Sequence, residues 1–211
     1  MVQSRPRVGF LHADRASEVV DVLCETFFEY PVMRFVLGTR SDYGARLNEL
    51  MTFDVAARIA CDEWLLGIEG ISGLSAAATV SRPGAESPPK VANLRENMWA
   101  SLGGEARSRY ELFTQASAPF EVEQPHLHLS LIGVRKDVQG HGLGRGLLEA
   151  VHALSEMDHS SVGVTLTTEV KRNVSLYEHF DYEIVGQARV ESSFTTWGFY
   201  RPDGLGVPGT A

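Results

Sequence analysis

The residues best suited to chemistry lie in one short stretch, V-R-K-D-V-Q-G-H-G-L-G-R-G-L-L, from Val134 to Leu148. Gln139 is followed at three and five residues by Gly142 and Gly144. The stretch sits between an apolar run (Leu127, Leu129, Leu131, Ile132) and a helical pattern. Glycines so placed make a turn whose backbone N–H groups can close on a pyrophosphate, because no Cβ holds the anion off. The helix that starts there adds its partial positive charge. The stretch is not a dinucleotide fingerprint: the sixth position of G-x-G-x-x-G is Arg145 counted from Gly140 and Leu147 counted from Gly142. Nor is it a lysine-bearing P-loop, since no Lys-Ser or Lys-Thr pair follows the glycines. A second constellation is Asn173 and Tyr177, whose i, i+4 spacing puts both on one side of a helical turn. A third is His126, His128 and Ser130, alternating on one face of a strand that would also carry Ile132 and Val134, with Leu127, Leu129 and Leu131 on the other face.

The Gln139, Gly142 and Gly144 pattern resembles motif A, Q/R-x-x-G-x-G/A, of the GNAT superfamily of N-acetyltransferases. Downstream, L-T-T-E-V-K-R-N-V-S-L-Y-E-H-F-D-Y (Leu166 to Tyr182) resembles that family's motif B, in which an Asn and a Tyr contact the cofactor and its sulfur. Asn173 and Tyr177 stand at those positions. The two motifs come in the expected order, with a strand-like run from Val162 to Thr167 between them. The resemblance implies an α/β fold, the GNAT acyl-CoA N-acyltransferase fold, with a mixed sheet and helices on both faces, as a single domain over residues 1–211. It implies acetyl-CoA as cosubstrate. It sets the pyrophosphate on the backbone from Gln139 through Gly140, His141, Gly142, Leu143 and Gly144 to Arg145. It lays the pantetheine arm along the main chain of Ile132, Gly133 and Val134 as an added strand, with an amide there facing the thioester oxygen. Asn173 would bond the cofactor's amide arm. Trp197 and Arg201-Pro202 resemble the end of a subgroup that acetylates small molecules.

Acetyl transfer to a primary amine needs an acid for the departing thiolate and a neutral amine. Tyr177 is the candidate acid, since a phenol with pKa about 10 is matched to an alkyl thiolate. The bland alternative for this pair is an Asn N-cap and a Tyr packed in the core. Relatives often carry a Glu near the position of Ser130, and here it is missing. His128 has the pKa range of a base near neutrality, while a hydrogen-bonded sheet histidine is its structural alternative. Glu121, Glu123 or water are further candidates for that proton. Phe27, Phe28 and Tyr30, in T-F-F-E-Y-P-V-M, together with His128 and Ser130, are expected to line the acceptor pocket, where many relatives carry an acid at the position of Tyr30. His126-x-His128 offers two coordination positions without a third ligand at diagnostic spacing, so no metal is expected. Gly73 to Ala77 only loosely imitates a nucleophile elbow.

The elements that must position these groups are legible from apolar periodicity. Helices are expected over Ala16–Phe28 (Ser17 as N-cap), from Val32 to Leu37, and over Tyr43–Cys61. Strands are expected over Glu63–Glu69 and Ile71–Val80, joined by a tight turn at Gly70. Ser81–Lys90 reads as a loop, leading into an insertion from Val91 to Phe120 with two helices. That insertion would either cap the pocket or form a surface for a homodimer. Then follow a strand to Val134, the glycine turn, a helix with Leu143, Leu147, Val151 and Leu154 on one face, a strand over Val162–Thr167, a helix over Asn173–Phe180, and strands over Tyr182–Val190 and Phe194–Tyr200. The tail from residue 203 onward is expected to be loosely held.

A chain of 211 residues with 44% hydrophobic content suits one domain with a sizeable core. With 19 basic and 27 acidic residues, the net charge of −8 argues against a nucleic-acid partner and mildly favours a cationic acceptor. Cys24 and Cys61 are isolated, which fits a reduced compartment. No run approaches the roughly 20 apolar residues of a membrane span, and a cytoplasmic protein without a membrane partner is expected. Three functions remain open on these grounds: an acetyl-CoA-dependent N-acetyltransferase of a small amine by direct transfer, a protein N-acetyltransferase, and a non-catalytic CoA-binding or regulatory module.

Overall fold

The computed structural model describes residues 6–204. Its centre is a seven-stranded sheet: β1 (Val8–Phe10), β2 (Trp64–Gly70), β3 (Gly73–Ser81), β4 (Leu127–Val134), β5 (Gly163–Thr168), β6 (Glu183–Val190) and β7 (Phe194–Pro202), in the order β1-β2-β3-β4-β5-β7-β6. Every neighbouring pair is antiparallel except β4 and β5. That parallel step requires a crossover, which the glycine turn and the next helix supply. The mixed sheet with helices matches the expected class.

Two apolar layers flank the sheet. On one face lie α1 (Ala16–Phe27), α2 (Pro31–Leu37), α3 (Tyr43–Ala60), α4 (Pro89–Leu102) and α5 (Gly104–Ser117), burying Val19, Leu23, Leu47, Met51, Met98 and Leu102. On the other, α6 (Leu143–Met157) and α7 (Arg172–His179) bury Leu147, Val151 and Tyr177 against Leu127, Leu129, Val164 and Leu166. Each helix covers one side because its apolar residues recur at helical spacing. No helix among the described residues is long and apolar enough to cross a membrane.

Local departures from the sequence reading have physical causes. Ser17 does not cap α1; a 3-10 turn over Ala13–Arg15 runs directly into it. The β2–β3 turn falls at Ile71-Ser72, and Gly73 takes the positive φ of 113°. β1 was not foreseen: three residues offer too little periodicity to read. The expectation for the tail bears mostly on residues 205–211, outside the described residues.

The largest correction concerns β4. Thr79 of β3 pairs with Leu131, but the next residue, Val80, pairs with Leu129, so Ser130 is an extra residue on the β4 side. A bulge of this kind reverses the alternation of faces. Ile132 and Val134 therefore pack in the α6 layer, and Leu131 turns to the face of His128 and Ser130. Gly133 then faces α1, where an added Cβ would lie 2.8 Å from Thr26 Oγ1. Only glycine lets α1 approach this closely.

Candidate acetyl-transfer site

The turn after β4 is braced before it reaches the glycines. Arg135 donates from Nε to the Leu74 carbonyl (2.8 Å) and from Nη1 to Glu25 of α1 (2.9 Å). The Lys136 amide donates to the same carboxylate (2.8 Å), and that bond, followed by Arg135, holds Glu25 below the usual carboxylate range. Gln139 Nε2 donates to the Val134 carbonyl (3.0 Å), folding the turn back on the strand. His141 is pinned by Nδ1 to the carbonyl oxygen of Gln139 (3.0 Å). Gly142 is the N-cap of α6 in left-handed conformation (φ 79°), and no side chain caps the helix. The first amide of α6 to find a partner is that of Gly146, on the Gly142 carbonyl, which leaves the amides of Leu143, Gly144 and Arg145 without one among the described residues. Cβ atoms added at Gly140 or Gly142 would meet nothing within 4 Å. The result is an open cradle of N–H donors at a helix N-terminus, a fit for a pyrophosphate.

Beside it, β4 and β5 part. They pair only through Leu127, His128 and Leu129 with Val164, Thr165 and Leu166, whereas β4 remains paired with β3 as far as Val134. The β5-facing edge of Leu131–Val134 thus has no strand neighbour among the described residues, the slot an extended amide-bearing arm would fill by strand addition. Ile132, Gly133 and Val134, the residues expected to carry the cofactor's arm, lie on this edge.

The gap opens into a cavity of about 630 Å³. Tyr177 of α7 is 6% exposed and packs against Phe199 and Tyr182. Its hydroxyl makes no protein hydrogen bond among the described residues, and the residue lines the cavity. Burial, and then the Glu169 carboxylate, push its pKa up to about 12, so it is a protonated phenol at neutral pH. Asn173 is not an N-cap; α7 starts at Arg172, and Asn173 Nδ2 donates to Thr168 Oγ1 (3.2 Å) at the cavity edge. Thr168 Oγ1 also lies 3.0 Å from the Tyr30 hydroxyl, which accepts the Glu169 amide at 3.2 Å. Tyr30 thereby ties the α1–α2 break to the end of β5.

Of the residues expected around the acceptor, Phe27, Tyr30, His128 and Ser130 line the cavity, and Phe28 does not. Phe28 lies edge-on to Tyr43 (5.2 Å between centroids) with the Arg34 guanidinium over its ring, on the outer side of α1. Phe28 continues the helical backbone of α1, so it points about 100° away from its neighbour Phe27. His128 Nδ1 is 2.9 Å from Thr165 Oγ1, and burial, followed by the Arg58 cation, depresses its pKa to about 4. It is neutral at pH 7 and a weak base. Glu121 and Glu123 precede the strand and are not among the lining residues.

Sequence reasoning missed several members. The insertion does roof the cavity: α4 contributes Arg95, Met98 and Trp99, and α5 contributes Arg107, Tyr110 and Phe113. From α3 come Asp54 and Arg58, paired with each other (3.5 Å), with Arg58 also held by Glu63 (2.6 Å). Glu169 also lines the cavity, 7% exposed, with Oε1 accepting from Thr196 Oγ1 (2.8 Å). Burial raises its pKa to about 7 against the opposing hydrogen bonds of Thr196 and Tyr30. It lies within the stretch that carries Asn173 and Tyr177, but only the packing of α2 and β7 around it makes it buried.

Known proteins align with this arrangement. Residues 113–197 match the acetyltransferase (GNAT) domain family. Among solved structures, the fold is similar to histone acetyltransferase HPA2 and related acetyltransferase from Corynebacterium glutamicum (19% identity, TM-score 0.66, covering 98% of this chain and 99% of that one). It is similar to an agmatine N-acetyltransferase (16%, 0.69, 94% and 100%). It is also similar to the Drosophila melanogaster polyamine N-acetyltransferase that forms N-acetylagmatine (16%, 0.62, 93% and 99%). At these identities the likeness of the structures speaks for the fold.

Proposed function

We propose that this chain, whose residues 113–197 match the acetyltransferase (GNAT) domain family and whose fold is similar to those of acetyltransferases, transfers the acetyl group of acetyl-CoA directly to the primary amine of a small molecule. The observation that carries this reading is the coincidence of three features: an open amide cradle at the start of α6, an unpaired β4 edge from Leu131 to Val134, and the Tyr177 hydroxyl facing the cavity between them. The cofactor would supply the activated acetyl group. The chain's own part is to hold the phosphates on the amides of Gln139–Arg145, to present a β4 amide to the developing oxyanion, and to protonate sulfur from Tyr177. His128 and Ser130 would form the β4 wall against which the acceptor lies, and Asn173 would bond the amide arm.

The roof of α4 and α5 favours a small acceptor over a protein lysine, since it covers the cavity with Met98, Trp99, Tyr110 and Phe113. Two of the similar folds belong to enzymes of agmatine and polyamine acetylation, which supports an amine acceptor. The acidic balance of the whole chain is compatible with a cationic one. The protein is expected to melt higher with acetyl-CoA, by about 2.7 kcal/mol of stabilisation at a hundredfold excess over Kd. Thiol release from acetyl-CoA, followed across a panel of primary amines, identifies the acceptor. Absence of any thermal shift at millimolar acetyl-CoA would remove the cofactor, and with it this function.

A further inference from the structure

The geometry points to Glu169 as the general base of the transfer, a buried carboxylate in the cavity wall that takes the proton from the acceptor's ammonium. The inference rests on the reading of the site as one for a small amine.

Glu169 follows the last residue of β5 and lines the same cavity as Tyr177 and Asn173. It is nearly enclosed, yet no cation pairs with it among the described residues. The other acids of the cavity wall are engaged: Asp54 with Arg58 and Thr79, and Glu111 with Arg107. A buried carboxylate without a cation carries an uncompensated desolvation cost, and a bound ammonium would relieve it. Thr196 fixes one oxygen by donating at 2.8 Å, and the Glu169 amide is held on the Tyr30 hydroxyl, so the side chain is pre-positioned. The titratable groups around it are Tyr30, from the α1–α2 break, and Tyr177, from α7, both kept neutral at pH 7 by burial. With its pKa raised to about 7, Glu169 is half ionised near neutrality, where a base is most effective. His128 is the weaker candidate, since Arg58 opposes its taking up a proton.

In the step, the carboxylate takes one N–H proton of the ammonium, and the freed lone pair forms the C–N bond to the thioester carbonyl carbon. The C–S bond then breaks, and its electron pair leaves with sulfur, which receives the Tyr177 proton. The remaining surplus proton on nitrogen returns through water to the Tyr177 phenolate, and Glu169 gives its own to solvent. Amide, thiol and one proton result.

The test compares wild type with Glu169→Gln and Glu169→Asp, using phenethylamine and trifluoroethylamine as acceptors, the second being weakly basic enough to arrive neutral at pH 7. Glu169→Gln is expected to lower kcat for phenethylamine about 10²- to 10⁴-fold. It should remove the acid limb of kcat/KM near pH 7 and cost far less with trifluoroethylamine. The thermal shift with acetyl-CoA should persist, and Glu169→Asp should keep the limb at a reduced rate. A Gln variant with full turnover and an intact limb overturns the assignment, as does a limb that disappears in His128→Gln instead. If neither these two nor any other amine of the panel is acetylated while acetyl-CoA still raises the melting temperature, the small-amine reading fails first. Glu169 is then judged on stability: wild type should lose stability relative to Glu169→Gln as pH rises from 4.5 to about 7, because the folded state holds the proton longer. Parallel curves would overturn it.

Discussion

Tyr177 shows how much one side chain's role depends on its surroundings. Its ring belongs to the core, packed between Tyr182 and Phe199, while its hydroxyl has no protein partner among the described residues and the residue lines the cavity. The core alternative and the catalytic role therefore separate at a single atom. Tyr177→Phe keeps the packing and deletes the proton. If the hydroxyl protonates sulfur, kcat should drop about 10²- to 10⁴-fold with Kd for acetyl-CoA and Tm nearly unchanged. Full turnover in the Phe variant would leave water as the donor. The burial that raises its pKa to about 12 makes the phenol a weaker acid, yet also guarantees that it enters the reaction protonated.

At the scale of elements, the junction of β4 and α6 is the part most exposed to backbone conformation. Gly142 serves two purposes there: it adopts the left-handed φ that starts α6 without a side-chain cap, and it leaves the cradle open. A β-branched residue at this φ would strain the turn itself, so its loss of binding would be ambiguous. Asn tolerates the left-handed region. Gly142→Asn should keep Tm close to wild type while greatly weakening the acetyl-CoA-induced shift; an undiminished shift would move the phosphates away from this turn. The bulge at Ser130 works alongside it. By reversing the alternation it places Val134 against Gly144 of α6, with Gly133 against α1, and it precedes the point where β4 leaves β5. A strand with strict alternation would have kept Ile132 and Val134 on the acceptor side.

Across the whole molecule, the two faces of the sheet carry one buried and one partly buried histidine whose protons are expelled by folding. His128 stands on the cavity side, and His152 of α6, with Nε2 3.0 Å from the Tyr182 hydroxyl, stands on the other; both have pKa lowered to about 4, chiefly by burial. The unfolded chain binds these protons near pH 6.5, and the native state does so only near 4. Stability therefore falls as pH drops from about 6.5 to 4. Glu169 opposes them, since its raised pKa makes stability decline as pH rises from 4.5 to about 7, and the carboxyls of Asp54 and Asp203, also raised by burial, act in the same sense. His152→Gln removes one titrating group while leaving an amide to meet Tyr182, so its Tm should fall less than that of wild type between pH 6.5 and 4.5. A slope identical to wild type would show that His152 does not titrate in this way.

What the sequence determined by itself was whatever depends on local spacing. The glycines after Gln139, the i, i+4 pair of Asn173 and Tyr177, and the helical stripes of α1 and α6 are short-range patterns, and each recurs in the structure within a residue or two. Spacing alone could not say which apolar or polar side chains end up together. The bulge that turns Leu131 inward depends on how β3 pairs with β4, and the outward position of Phe28 depends on which side of α1 docks on the sheet. The roof over the cavity depends on α5 docking against α2 and the β6–β7 edge. The burial of Glu169 requires Tyr30 and Thr196, both distant in sequence, to converge on the stretch that carries Glu169 and Tyr177. Desolvation belongs to that convergence and to no single segment, and so the tertiary structure decided which carboxyl could titrate near neutrality.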